Sequence, residues 1–153
     1  MARHPLELRK IKFVSKEYQQ SLKLREQILR LPLGLKLSAQ ELARDIDDTH
    51  LGGFIGTELV ACLVLSRVAP TRMKMRQVAV AENFQGQGVG KSLVQFSEQI
   101  CIENQIYEIE LSARETAINF YLQQAYEPQG ESYSEQNIPH IKMSKILKIV
   151  MAD

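Results

Sequence analysis

Between an apolar run that ends at Val80 and an amphipathic stretch that begins at Val89 lies Gln85-Gly86-Gln87-Gly88-Val89-Gly90-Lys91. This segment limits what the chain can fold into more than any other. Three glycines at alternate positions let the backbone turn freely. Successive N–H groups can then converge on one concavity, and the positive end of the next helix adds its pull on an anion. A pyrophosphate suits such a pocket. Spacing separates the readings. The dinucleotide fingerprint G-x-G-x-x-G fails, because Gly90 follows Gly88 by two residues instead of three. A P-loop finds its end in Gly90-Lys91-Ser92, but its first glycine belongs where Gln85 stands and occurs instead at Gly86. Ile106–Leu111 also offers no aspartate ending an apolar strand for magnesium. A turn that only joins a strand to a helix seldom needs three glycines.

The hydrophobic periods around the loop set the element order. Leu6–Val14 reads as an edge strand, with Ser15 as N-cap of a helix over Lys16–Leu31 that Pro32 stops. Tyr18, Leu22, Ile28 and Leu29 keep one face of that helix. Ser38 and Glu41 form a capping box for a short helix with Leu42 and Ile46 inward. Leu51–Ile55 and Leu59–Val68 flank Gly56-Thr57-Glu58 as a hairpin, and the run Leu59–Leu65 is too apolar for a strand with one wet face. Arg72–Val80 adds a third strand, and Val89–Asn104 a helix with Val89, Leu93, Phe96 and Ile100 toward the sheet. Ile106–Leu111 is a strand and Thr116–Gln124 a short helix. Tyr126–Gln129 and Ile138–Ile146 close the sheet across a polar connection, Gly130–Asn137. Antiparallel strands first and a βαβ-like unit after the loop predict an α/β (α+β) fold. Its sheet is mixed and has helices on both faces.

The 153 residues suit one domain, taken as 1–153. With 44% hydrophobic and 24% charged residues and no apolar stretch near membrane-spanning length, the chain reads as globular with no membrane partner. A net charge of +1 with both signs interspersed gives no stripe for nucleic acid. Cys62 and Cys101 stand alone in apolar surroundings and read as core residues of a reducing compartment. The first ten residues have no secretory pattern, so the expectation is cytoplasmic.

The spacing Q-x-x-G-x-G/A is met by Gln85, Gly88 and Gly90, preceded by Val78-Ala79-Val80 and succeeded by the amphipathic helix. This closely resembles motif A of the GNAT superfamily of N-acetyltransferases, and the resemblance runs from about Lys16 to Ser144. It implies the GNAT fold, a mostly antiparallel sheet of six to seven strands. It also implies acetyl-CoA as co-substrate, no metal, direct transfer to an amine of a small molecule or protein, and a monomer or homodimer. By resemblance, backbone groups of Val78, Ala79 and Val80 pair with the pantetheine arm. Gln85, Gly86, Gln87, Gly88, Val89, Gly90 and Lys91 hold the pyrophosphate. A slot opens where the strand ending at Val80 splays from Ile106–Leu111, and an N–H near Val80 polarises the thioester.

Phe120-Tyr121-Leu122-Gln123-Gln124-Ala125-Tyr126 resembles the family's F-Y-x-x-x-G-F, with alanine in place of glycine at position 125. The resemblance makes Tyr121 the general acid for the leaving thiolate and turns Asn119 to the cofactor. For the base, Glu110, Glu82 and His140, the last within Ile138-Pro139-His140-Ile141, are candidates beside a water chain. Glu41, Asp45, Asp47 and Asp48 fall where the acceptor wall lies in such folds, as a seat for a cationic amine or as a solvated acidic helix end. Two other functions stay open beside acetyl transfer. One is an acyl-CoA-binding module without turnover; the other is a small P-loop nucleotide-binding protein.

Overall fold

The computed structural model describes residues 4–147. The strands are β1 (Leu6–Ile11), β2 (Thr49–Ile55), β3 (Glu58–Ala69), β4 (Arg72–Val80), β5 (Glu108–Arg114), β6 (Glu127–Glu135) and β7 (Ile138–Ile146). They form one seven-stranded sheet in the order β1-β2-β3-β4-β5-β7-β6. The helices are α1 (Lys16–Leu29), α2 (Ala39–Arg44), α3 (Val89–Glu103) and α4 (Ile118–Leu122). The alternation read from the sequence therefore stands. The described residues resolve into two compact units, one of 4–66 with Gln77–Ser97, the other of Arg67–Arg76 with 98–147.

In the first unit, β1 pairs antiparallel with β2 from Leu6↔Ile55 to Ile11↔His50, and β2 with β3 from Thr49↔Leu65 to Ile55↔Glu58. Leu59–Ser66 is buried without a break, as expected of a strand with no wet face. Ile11, Tyr18, Leu24, Phe54, Leu59, Cys62 and Ala79 form a core cluster, with Leu22, Ile28 and Leu29 packed partly buried against it. Ser15 caps α1 by accepting from the Tyr18 N–H at 3.0 Å. The helix stops at Leu29, and Pro32 lies in the adjoining 3-10 turn Leu31–Leu33. The Ser38–Glu41 capping box is present in full.

One expected face is wrong. Leu42 and Ile46 do not point inward; they are 37% and 64% exposed, while Asp45 is fully buried. A side chain one place along a 3-10 turn is rotated by roughly 120°. Seating Asp45 inside therefore carries Ile46 out to water.

In the second unit, β4 and β5 run parallel from Arg72↔Glu108 to Met75↔Leu111. β5 then pairs antiparallel with β7 from Glu108↔Ile146 to Arg114↔His140. Ile109, Leu111 and Ala113 face the core in strict alternation. Gly130–Asn137 is not a polar connection. Most of it is strand, since β6 runs to Glu135 and re-pairs with β7 from Tyr133↔His140 onward, after an irregularity between Gln129 and Tyr133. Its alternation escapes notice because all nine residues of β6 are exposed and carry no apolar period. The hairpin turns on Gln136 and Asn137, both at positive φ, as a two-residue turn of this kind requires.

After α4 the chain reverses through Ala125 at φ +70, the left-handed conformation that glycine adopts without strain. Alanine there bears a cost that the resembled motif's glycine avoids. The variant Ala125→Gly should raise unfolding free energy by about 0.5–1 kcal/mol, relief of left-handed strain exceeding the added freedom of the unfolded chain. Urea-induced unfolding measures it.

Candidate active site

The glycine loop lies within the first unit. A 3-10 turn, Glu82–Phe84, leads from β4 into it, and α3 leaves it. Gly86 and Gly88 stand at φ +75 and +81. A Cβ at either would meet nothing within 4 Å, so conformation rather than space demands glycine here. Two glutamine side chains brace the loop from within: Gln85 Nε2 donates to the Val80 carbonyl at 2.9 Å and Gln87 Nε2 to the Asn83 carbonyl at 3.0 Å. Their Nε2 groups are committed to the loop's own shape. The Ser92 N–H bonds the Gly88 carbonyl at 3.0 Å, opening the helix. The N–H groups of the turn before it have no intrahelical acceptor by construction. Residues Gln85–Gly88 and Lys91 are exposed, Gly90 is half-buried and Val89 is buried as the anchor of α3. Within β4, Ala79 is buried while Val78 and Val80 are half-buried.

Behind β4 sits a buried polar cluster that the sequence did not disclose. Arg25 and Asp45 side chains have no exposure, and Asp45 accepts from Arg25 Nη1 at 2.7 Å and Nη2 at 3.2 Å. The Tyr18 hydroxyl donates to the same carboxylate at 2.6 Å, and His50 Nε2 lies 2.8 Å from the Asp45 carbonyl. Arg25 Nε donates to the Gln77 side-chain oxygen. Burial alone would raise the Asp45 pKa, but hydrogen bonds from Arg25 and Tyr18 outweigh it and hold the carboxyl below its usual range. Burial and the Asp45 bond push Tyr18 up to about 12. The sequence hint was the placement of an arginine beside Leu24 on the inward side of α1, a face that apolar periodicity alone does not credit to a charge.

These bonds remove two of the four acids from the expected acceptor wall. Asp45 is spent on Arg25, and Glu41 on Arg30, whose Nε donates to it at 3.1 Å. Neither is a solvated acid at a helix end.

In the second unit, Tyr121 is 7% exposed, its ring edge-on to Phe120 at 5.0 Å and to Tyr126 at 5.7 Å. Burial raises its pKa, so the hydroxyl keeps its proton at neutral pH. Tyr126 donates to Glu98 at 2.9 Å, and Lys145 holds the other oxygen of Glu98 at 2.9 Å. Asn119 is exposed. Glu110 lies between Arg72 at 2.8 Å and Lys142 at 3.5 Å. His140 is 5% exposed, with Nδ1 3.0 Å from the Ile138 carbonyl, Nε2 3.5 Å from Glu135 and its ring stacked on Tyr133. Ser112 bonds both Tyr133 and Glu135. Glu110 faces Ser144 and His140 faces Arg114, four places apart along the ladder, or about 14 Å at strand rise. The two candidate bases are not brought together. Neither thiol is an available nucleophile: burial pushes both Cys62 and Cys101 up to about 12.

Solved structures share this fold. A putative N-acetyltransferase from Lactobacillus plantarum superposes with a TM-score of 0.86 at 17% identity, over 95% of this chain and 100% of that one. Escherichia coli ElaA does so with a TM-score of 0.78 at 24% identity, over 92% and 99%. An Elizabethkingia anophelis GNAT family acetyltransferase with acetyl-CoA bound gives 0.70 at 16% identity, over 93% and 98%. The architecture is thus that of the GNAT N-acetyltransferases. A model of the acetyltransferase (GNAT) domain matches residues 35–147, and the chain belongs to that family. It is also 25% identical over 80 residues to the uncharacterized protein YyaT of Bacillus subtilis (strain 168), a match covering 52% of this chain and 54% of that protein. The chain thus spans about half the length of that curated relative. Among the described residues no helix is long and apolar enough to cross a membrane.

His50 carries a pH signature. Burial lowers its pKa from the usual 6.5, so the folded protein refuses a proton that the unfolded chain accepts. Its stability contribution is complete above pH 6.5 and declines as pH falls below that value. Unfolding free energy should therefore drop as pH falls below about 6.5, and His50→Gln should flatten that slope.

Proposed function

We propose that this chain binds acetyl-CoA through the backbone of Gln85–Lys91 and Val78–Val80 and transfers the acetyl group to an amine. The carrying observation is the exposed loop with left-handed Gly86 and Gly88, braced by Gln85 and Gln87 and opening α3, in a member of the GNAT family. Its N–H groups and the helix end suit a pyrophosphate. Acetyl-CoA supplies an activated acyl group whose transfer releases a thiol. Val80 would offer its N–H to the thioester carbonyl, with the Gln85 amide seated on its own carbonyl.

The proton balance is simple. The amine loses one proton as the C–N bond forms, and the sulfur gains one as the C–S bond breaks. Tyr121 would serve the sulfur. Raised by burial, it is a weaker acid than a thiol of pKa about 8.5, so it donates a hydrogen bond to the departing thiolate, and the proton that nitrogen releases reaches the sulfur through solvent. For the nitrogen, His140 with Glu135 would act as base, because Glu110 is already engaged by two cations. Cytoplasmic location and a small-molecule or protein amine as acceptor complete the reading.

Calorimetric titration with acetyl-CoA, CoA and Mg-ATP in parallel tests it. Acetyl-CoA should bind with a Kd on the order of micromolar, Mg-ATP not at all, and Gly88→Asp should abolish binding by setting a carboxylate against the pyrophosphate. Binding of Mg-ATP alone would sink the reading. Tyr121→Phe should cut turnover about tenfold or more with cofactor affinity nearly unchanged. If acetyl-CoA binds and no amine releases thiol, the chain is a binding module.

A further inference from the structure

Gln77 is the one residue of β4 with a left-handed backbone, at φ +54, and it is not glycine. A left-handed residue in a strand re-aims the residues after it. Here those residues are Val78-Ala79-Val80, the segment that would receive the pantetheine arm. A non-glycine residue in that conformation persists only where its surroundings hold it. The holding group is visible: the Gln77 side chain accepts from Nε of Arg25, a guanidinium with no exposure whose Nη1 and Nη2 are both engaged by Asp45. Asp45 is fixed in turn by Tyr18 from α1. All three nitrogens of the guanidinium are thereby used, and the fork can take one orientation only.

We propose that Arg25 is a positioning residue: clamped by Asp45, it holds Gln77 in the left-handed conformation and so sets the backbone of Val78–Val80 for the cofactor. This rests on the acetyl-CoA reading for its ligand, but not for the clamp itself. A buried ion pair adds little to stability over a well-packed apolar substitute, so this cluster is better explained by the geometry it imposes. Lysine at position 25 could keep the charge opposite Asp45 but could not also reach Gln77 in the same plane.

Gln77→Gly separates clamp from conformation. Glycine adopts φ +54 without strain, so the fold should survive with its thermal midpoint little changed, while the link to Arg25 is gone. Two readouts are taken: amide hydrogen exchange at Val78, Ala79 and Val80 in the ligand-free protein, and calorimetric affinity for acetyl-CoA. The expected result is exchange at least about tenfold faster at those amides and a Kd weakened about 5–10-fold, with KM for acetyl-CoA rising more than kcat falls. Gln77→Glu, which still accepts from Arg25, should restore both to within about twofold. Arg25→Lys should reproduce the glycine variant's exchange pattern. Wild-type exchange in folded Gln77→Gly would overturn the clamp. Should the wild-type chain fail to bind acetyl-CoA, the functional reading falls, yet the exchange measurement still decides whether Arg25 sets this backbone.

Discussion

A guanidinium cannot be taken fully out of water without an anion to meet it, and in this protein that requirement organises the first unit. Arg25 has no exposed side-chain surface, and Asp45 answers it with both oxygens. Meeting the demand draws the turn after α2 inward, places Tyr18 over the carboxylate and brings the Asp45 carbonyl to His50 at the start of β2. The same guanidinium then reaches Gln77 in β4. A single charge thus ties together α1, the segment after α2 and two strands. Losing either partner would leave the other buried without its countercharge, a penalty of about 3–5 kcal/mol.

The glycine loop obeys a different constraint. Gly86 and Gly88 have room for a side chain, and their requirement lies in the sign of φ. The loop is held from inside by two glutamine amides and from downstream by the buried Val89. Lys91 stands exposed at the start of α3. Cys62 and Cys101 are both buried, so neither offers an exposed nucleophile.

Much of this was legible in the chain. The capping box at Ser38 and Glu41, the stop at Pro32, the unbroken apolar run of β3 and the glycine spacing are local instructions, each read within a few residues. The features that escape such a reading depend on distant partners. Nothing near Asp45 says that an arginine twenty residues earlier will bury it, and apolar period alone therefore assigns the inward face to Leu42 and Ile46. Strand β6 has no apolar period because every residue is exposed; only its hydrogen bonds to β7 make it a strand.

The sequence by itself determined the order of elements, the loop and the family, because glycine spacing, caps and hydrophobic period act through local backbone geometry. Tertiary structure alone decided which acids are available. Glu41, Asp45 and Glu110 look alike in the chain, yet each is neutralised by a cation brought from elsewhere, while His140 is set beside Glu135 by the β6–β7 pairing. The physical reason is that charge acts over the distance between groups in space, and folding rather than sequence separation sets that distance.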